Sequence, residues 1–404
     1  MEQETASEGA PLEGVKILDL TAVVSGPFAT MWLADQGAEV IKVEPPHGGE
    51  QGRYVGAGYL GYSALFATCN RNKRSLAVDL RDPKGLAAVL RLARAADVVI
   101  ENFRPGVADR LGLGYEALAA ENPRLIYASI TGFGPTGPYA GRRTYDSIIQ
   151  AMSGIADAQA HGSHPPALTY TIICDKVAGL SAAQAISAAL YARSRTGAGR
   201  RISVSMLESS LAFNWPDLMW NHAFTSEGAP KGLALTDTYR LWTTADGHVA
   251  VVFISGRAFD EWCRALEAPP EIAGETFATE AESRLRWREL WPFWESRIAS
   301  YSTAEVVERF LANGVPCGPV LARARLHEDP QVVHCDAVRE VPHPARGGLR
   351  VARPGARFSG WEPGLPTPAP EIGEHSRQAL AEAGLDDAEI EALIAAGAVR
   401  VSEA

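Results

Sequence analysis

Apolar and polar positions along the first half of the chain switch between short continuous apolar runs and stretches spaced by three and four residues. Val15–Leu20 (VKILDL), Ala38–Val43 (AEVIKV), Ser75–Leu80, Asp97–Ile100 and Arg124–Ile130 read as buried strands. Between them, Gly26-Pro27 opens a helix to Gln36, with proline in the first turn and Gly37 as the stop. Asp82-Pro83 opens a second helix through Arg94, and Tyr115–Ala120 reads as a third. Strands alternating with helices in this way predict an α/β fold, a mostly parallel sheet with helices on both faces. Ligands in such sheets gather at the carboxyl ends of the strands. Those ends are Leu20–Gly26, Val43–Pro46, Leu80-Arg81, Glu101–Gly106 and Thr131–Pro138.

The longest helical stretch runs from Lys176 to about Arg193, rich in small residues and free of proline. Asp175 stands at its N-cap position, facing unpaired N–H groups and the positive end of the helix dipole. That place keeps a carboxylate ionised, which suits a structural cap and equally a nucleophile. A strand (Ile202–Met206) and a helix (Leu207–Ala223) follow, then a connection at Ser226–Asp237. Beyond it the pattern changes. Thr238–Thr243 and His248–Phe253 flank Ala245-Asp246-Gly247 as a hairpin. Helices are expected around Ala258–Leu266, Ser283–Ser302 and Thr303–Ala312, the last with a Ser302…Glu305 capping pattern. Gly314–Pro319 reads as a turn-rich link and Ser359–Pro370 as an extended wrapping linker. Helices at His375–Ala383 and Asp386–Ala396 complete the chain.

With 404 residues the chain is long enough for two or three domains, and its net charge of −10 argues against nucleic acid as a partner. Five scattered cysteines form no C-x-x-C pair, so neither a disulfide framework nor a zinc site is expected. The nine histidines are isolated, which leaves metal catalysis without support. The acidic N-terminus has no apolar core of a signal peptide, and no apolar run is long enough to span a membrane. A reducing cytoplasm is the expected location.

Several loops carry candidate chemistry. Gly132-Phe133-Gly134-Pro135-Thr136-Gly137 matches G-x-G-x-x-G, but Pro135 and Pro138 oppose the helix a nicotinamide site requires. A ligand-facing loop is expected there instead. Asn70–Arg74 is a basic cluster, and Arg81 and Arg104 fall just past strand ends, where phosphates bind. In Glu101–Gly106, Asn102 offers hydrogen bonds and Phe103 a stacking face. Tyr145 is a candidate hydrogen-bond donor to an oxyanion near a catalytic carboxylate. Cys174 competes with Asp175 as nucleophile, although a buried, inert thiol is the commoner state. The aromatic segment Phe213–Phe224 suits packing or an acyl pocket.

Taken in order, LEGVKILDLTAVVSGPFATMWLADQGAEVIKVE, CNRNKRSLAVDL, ADVVIENFRPGV, SITGFGPTGPYA, ICDKVAG, NGVPCGPV and IGEHSRQALAEAGL resemble the class III CoA-transferases. The likeness runs from Leu12 to Val401. It implies a Rossmann-like large domain built from both chain ends, a small α/β domain, and a homodimer of interlocked rings. The corresponding bounds are 1–225 for the large domain, 226–330 for the linker and small domain, and 331–404 for the return. By motif, Asp175 matches the aspartate that attacks an acyl-CoA thioester, giving a mixed anhydride and then an aspartyl-CoA thioester. Val24, Ser25 and Tyr145 match residues lining the active site. Val78, Asp79, Leu80, Arg81, Asn102, Phe103, Arg104, Arg110, Arg143, Thr144 and Asp146 match segments that hold CoA. Val24 stands where formyl-CoA transferase has glutamine, and Pro45 where it has a CoA-contacting arginine. The resemblance implies acyl-CoA and a free carboxylic acid as substrates, with no tightly bound cofactor and no metal. Racemases of the same fold carry histidine where this chain has Tyr145, so a two-base proton transfer lacks one base. A racemase and a non-catalytic CoA-binding protein remain the alternatives.

Overall fold

The computed structural model describes residues 9–160, 164–229, 231–232, 239–253 and 257–402. The acidic N-terminal residues 1–8 and residues 233–238, where the first strand of the hairpin is expected to begin, lie outside them. Two compact units form: one takes the chain up to Pro216 and again from His334, the other Asp217–Val333.

The first unit is built on six parallel strands, β1 (Lys16–Asp19), β2 (Glu39–Glu44), β3 (Lys73–Val78), β4 (Val98–Glu101), β5 (Ile126–Thr131) and β6 (Arg200–Ser205). Their spatial order is β3-β2-β1-β4-β5-β6. Val399–Arg400 returns antiparallel beside β3, with Val399 opposite Val78. Most of these strands are buried on both faces, which is why they read as continuous apolar runs. Helices α1 (Ser25–Ala34), α2 (Pro83–Ala95), α3 (Tyr115–Glu121), α4 (Asp146–Met152) and α5 (Ile173–Thr196) accompany them. Asp82 caps α2 by accepting from the N–H groups of Lys84 and Gly85, both at 2.9 Å. The strand order reverses direction between β1 and β4, the switch point at which such sheets open a crevice.

The small residues of α5 have a packing reason. Ala178, Gly179, Ala182 and Ala183 are buried, and a Cβ on Gly179 would stand 2.6 Å from the backbone oxygen of Ser25. Only glycine lets α1 come this close, and that approach sets Ser25 beside the first turn of α5. Leucines at these positions would hold the two helices apart.

The C-terminal return is tied by side chains. Ser376 donates to the Arg400 carbonyl at 2.7 Å and accepts from the Ala77 N–H at 3.1 Å. Residues 362–370 form no helix or strand, and they are tied down where Thr367 N–H donates to Asn72 at 2.8 Å and the Tyr62 hydroxyl to the Ala369 carbonyl. A hairpin of Val338–His343 and Gly347–Ala352 in this unit has no counterpart in the sequence reading.

In the second unit, Leu241–Thr243 and His248–Val251 pair antiparallel as expected. Cys317–Pro319, read from the sequence as a link, joins them as a third strand, with Val249 opposite Pro319. The helix expected over Ser283–Ser302 is two helices, Glu280–Glu289 and Trp291–Ala299. Pro292 explains the break, because it lacks an N–H and fits only the first turn of a new helix. Ser302 and Glu305 form the anticipated capping box. Trp242, Trp262, Trp287 and Trp294 fill the core. Among the described residues no helix is long and apolar enough to cross a membrane.

Candidate active site

The loop after β1 crosses the switch point and is fixed from three sides. The Asn102 side chain accepts from Ala22 N–H at 2.9 Å and donates to Ala22 C=O at 2.8 Å. Lys42 donates to the Thr21 carbonyl at 2.9 Å, and Glu50 accepts from Val23 N–H at 3.0 Å. Val23 has φ of 70°, a left-handed conformation that a β-branched residue rarely adopts. The three clamps hold it there. Val24, expected in the lining, is only 3% exposed because this turn directs it into the core. Val23 and Ser25 form the wall instead.

Beneath the loop lies a buried charge network. Lys73 meets Asp19 at 3.1 Å and also donates to Asn70 Oδ1 and the Pro27 carbonyl. Lys42 stands 3.6 Å from Glu50, and Arg53 pairs with Glu44 at 2.7 Å. Burial alone would raise the Asp19 carboxyl. Lys73, Lys42 and the hydroxyls of Thr21 and Thr30 outweigh it and hold that carboxyl well below the usual range.

Asp175 is the third residue of α5, not its N-cap: the helix begins at Ile173, and Ile172 supplies no side-chain cap. The Asp175 N–H is taken by Asp146 Oδ1 at 3.1 Å, which leaves the Asp175 carboxylate free to face away from its own helix. Ser25, at the start of α1, lines the same cavity wall, and its hydroxyl and N–H favour the ionised form of that carboxylate. The expected effect of the helix mouth is also reversed. Burial, then the charge of Asp146, pushes the Asp175 carboxyl up to about 6, and Ser25 only partly opposes this. The group is mostly ionised at neutral pH and has the proton affinity of a stronger nucleophile. Cys174 lies within the same helical turn rather than on a strand or loop. It is fully buried, and burial pushes its thiol up to about 11. An inert thiol is the consequence.

Two cavities flank the loop and share Ala22 and Phe103 in their walls. The first, ≈ 450 Å³, is bounded by Val78, Asp79, Leu80 and Arg81 on one side and by Val43–Gln51 on the other, Pro45 included. Arg81 is held against Asp79 at 2.9 Å. The second, ≈ 250 Å³, contains Asp175 and Ser25, with Arg104, Arg143, Thr144 and Tyr145 around them. Asn102 also reaches this wall, but its amide is spent on Ala22 rather than open to a base. Arg110 is exposed and lines neither cavity, and Asp146 is turned inward beneath Asp175. Arg142, unnoticed in the sequence, joins the second cavity with its guanidinium 3.8 Å from the Tyr139 ring. Gln150 was likewise unmarked, and its spacing of four from Asp146 on a helix is the one signal that could have found it. Among the described residues no cluster of three or more His, Cys, Asp or Glu side chains is placed to hold a metal.

Residues 12–376 match the family model described as CoA-transferase family III. The chain belongs to that family. It is a CoA-transferase, as the class III resemblance of its motifs implied. It is 36% identical to the human succinyl-CoA:glutarate CoA-transferase, over 96% of this chain and 90% of that protein. The Acetobacter aceti acetyl-CoA:oxalate CoA-transferase is also 36% identical, over 90% and 95% of the two chains. Among solved structures, a CAIB/BAIF family protein from Brucella suis superposes with a TM-score of 0.81 at 33% identity, covering 93% of this chain and all of that one. The parallel-dominated sheet of this chain is thus a family III fold.

Proposed function

We propose that this CoA-transferase moves CoA from an acyl-CoA to a short dicarboxylic acid through covalent intermediates on Asp175. The observation that carries the reading is a half-buried carboxylate, beside Ser25, in the wall of a cavity that also bears three arginines. An Asp175 oxygen attacks the thioester carbonyl and the CoA thiolate leaves, forming a mixed anhydride. The thiolate then attacks the Asp175 carbonyl, releasing the donor acid and leaving an aspartyl-CoA thioester. The acceptor carboxylate repeats the sequence in reverse, and Asp175 returns as a carboxylate. No net proton is consumed. Main-chain N–H groups in the first turn of α1 supply oxyanion stabilisation. Val78–Arg81 and Phe103 hold the nucleotide end of CoA in the larger cavity, and Arg104 and Arg143 take its phosphates or a second substrate carboxylate.

The dicarboxylate class rests on the relatives named for glutarate and for oxalate, together with the cationic wall. Racemisation is less well served. The residues lining the Asp175 cavity include Tyr145, 63% exposed, but no histidine to act as the second base.

Incubation with succinyl-CoA followed by hydroxylamine or borohydride is expected to modify Asp175 alone, as read by peptide mass spectrometry. Modification of Cys174, or none, would overturn the route. With succinyl-CoA as donor, glutarate or oxalate is expected to yield a new thioester at least ~10-fold faster than acetate, as one buried charge-assisted contact of ~1.5 kcal/mol or more would give. Equal rates would remove the dicarboxylate class.

The interlocked homodimer expected by resemblance is supported by exposed apolar side chains on the first unit. Leu180, Tyr191, Phe213 and Trp215 are 44–66% exposed, apolar area that a partner subunit would cover. Light scattering is expected to give twice the 43.2 kDa chain mass. A monomer at micromolar concentration would refute the assembly.

A further inference from the structure

A second carboxylate lies directly behind Asp175 and is not part of the cavity wall. Asp146 opens α4 and is 9% exposed. Its Oδ1 accepts from the Asp175 N–H at 3.1 Å, and its Oδ2 accepts from Gln150 Nε2 at 2.6 Å. Gln150 lies one helical turn further on, is 2% exposed, and reaches across to the segment that leads into α5. There it donates to the Thr171 carbonyl at 3.1 Å and accepts from Thr169 N–H at 2.9 Å and from its hydroxyl at 3.0 Å. Apart from the bond that joins them, the polar atoms of the Asp146–Gln150 pair are spent on the approach to, or the first turn of, the helix that carries Asp175. Because both Asp146 oxygens accept from N–H donors, the geometry fits the ionised, acceptor-only form. Those donors are neutral, so the Asp146 charge is not cancelled by them.

We propose that Asp146 is a positioning residue for CoA transfer, fixing the Asp175 main chain through the Gln150 strap and favouring, by its negative charge, the acylated states of Asp175. The inference rests on the covalent route proposed above. A free Asp175 carboxylate carries its charge beside that of Asp146. In the mixed anhydride and in the aspartyl-CoA thioester the Asp175 charge is gone, and the repulsion with it. Two like charges in a partly desolvated site thus destabilise the resting nucleophile relative to its covalent products. The other groups around Asp175 set the background for this effect. They are Ser25 on α1, Cys174 and Lys176 beside it on α5, and Tyr145, Arg104, Arg142 and Arg143 on the cavity wall. Lys176 is directed away, with Nζ 2.8 Å from the Thr171 hydroxyl.

The test compares the native enzyme with Asp146→Asn and Gln150→Leu, measuring kcat and KM for acyl-CoA across pH 4.5–8 and the amount of trapped adduct. Asp146→Asn is nearly isosteric, but it removes the charge and sets its amide N–H₂ against that of Gln150. The acid limb of kcat/KM is expected to move down by about one pH unit, kcat to fall roughly 10–100-fold, and KM to stay within about threefold. The trapped aspartyl adduct is expected to decrease. Gln150→Leu retains the charge and cuts the strap. It is expected to lower kcat about tenfold with the acid limb unmoved. An Asp146→Asn enzyme with native kcat and an unmoved acid limb would overturn the proposal. If that variant does not fold, native kcat in Gln150→Leu would overturn it in the same way. The two readings fail separately: absence of any Asp175 adduct in the native enzyme refutes the covalent route, whereas a native adduct with an unaffected Asp146→Asn refutes only the role of Asp146.

Discussion

Replacing Asp175 by asparagine is expected to lower CoA transfer by roughly 10³-fold or more, the scale on which loss of a covalent nucleophile acts. The same change is expected to leave CoA binding within about threefold and to make the protein more stable at neutral pH. The reason is electrostatic. Burial and Asp146 raise the Asp175 carboxyl from 3.8 to about 6, so the folded state holds this proton more tightly than the unfolded chain. The stability from that proton is fully present below pH 3.8 and is lost as pH rises through about 6. Above pH 6 the native protein therefore carries an ionised, half-buried carboxylate at a cost that a neutral amide avoids. At ~1.4 kcal/mol per tenfold change in proton affinity, the upper limit of the gain is about 3 kcal/mol. Urea denaturation at pH 7.5 and at pH 4 checks the sign: Asn should stabilise at the first and make little difference at the second. Activity of the native enzyme is expected to fall as pH drops through about 6, as Asp175, the proposed nucleophile, takes up a proton. Native-level transfer by Asp175→Asn would refute the nucleophile. Lost transfer together with lost stability would point to misfolding instead.

Lys73→Met is expected to destabilise the first unit by about 3–5 kcal/mol, the usual result of removing one partner from a buried ion pair. Lys73 and Asp19 side chains are both fully buried, and Lys73 also supplies donors to Asn70 and the Pro27 carbonyl. Without it, Asp19 keeps its charge in a site that it cannot leave, and the loop after β1 loses part of its foundation. The Asp19 carboxyl is held low in the folded state, so its contribution is present above the unfolded value of 3.8 and disappears as pH falls through its lower folded value. Native and variant stabilities are expected to converge only in strong acid. The double change Asp19→Leu with Lys73→Met should recover part of the loss, because it leaves no unpaired buried charge. A single-variant loss below 1 kcal/mol in urea denaturation would contradict this account.

These two results depend on features of different legibility. The parallel sheet could be read because its buried strands are short apolar runs punctuated by glycine, proline and capping residues, as at Asp82-Pro83. Helix bounds within it shifted by only a few residues. The second unit was less legible where apolar pattern and backbone chemistry compete. Pro292 splits a long apparent helix, and Cys317–Pro319 becomes a strand only because His248–Val251 offers it a free edge. Local spacing places Asp175 at the helix start, but as the third helical residue it is not the cap. Capping of that main chain passes to Asp146, a residue 29 positions earlier that nothing local connects to it.

The sequence by itself determined the alternation of strands and helices, the order of the family motifs, the small-residue helix and the aspartate at its mouth. Those are matters of local spacing and of residue type. Tertiary structure decided which way Asp175 faces, that Ser25 stands beside it, that Asp146 lies behind it, and that Asn102 is spent on Ala22. It also decided that the Asp175 carboxyl is pushed up rather than held low. Proton affinity depends on what surrounds a charge in space, and burial and a second carboxylate arrive only when distant segments pack together.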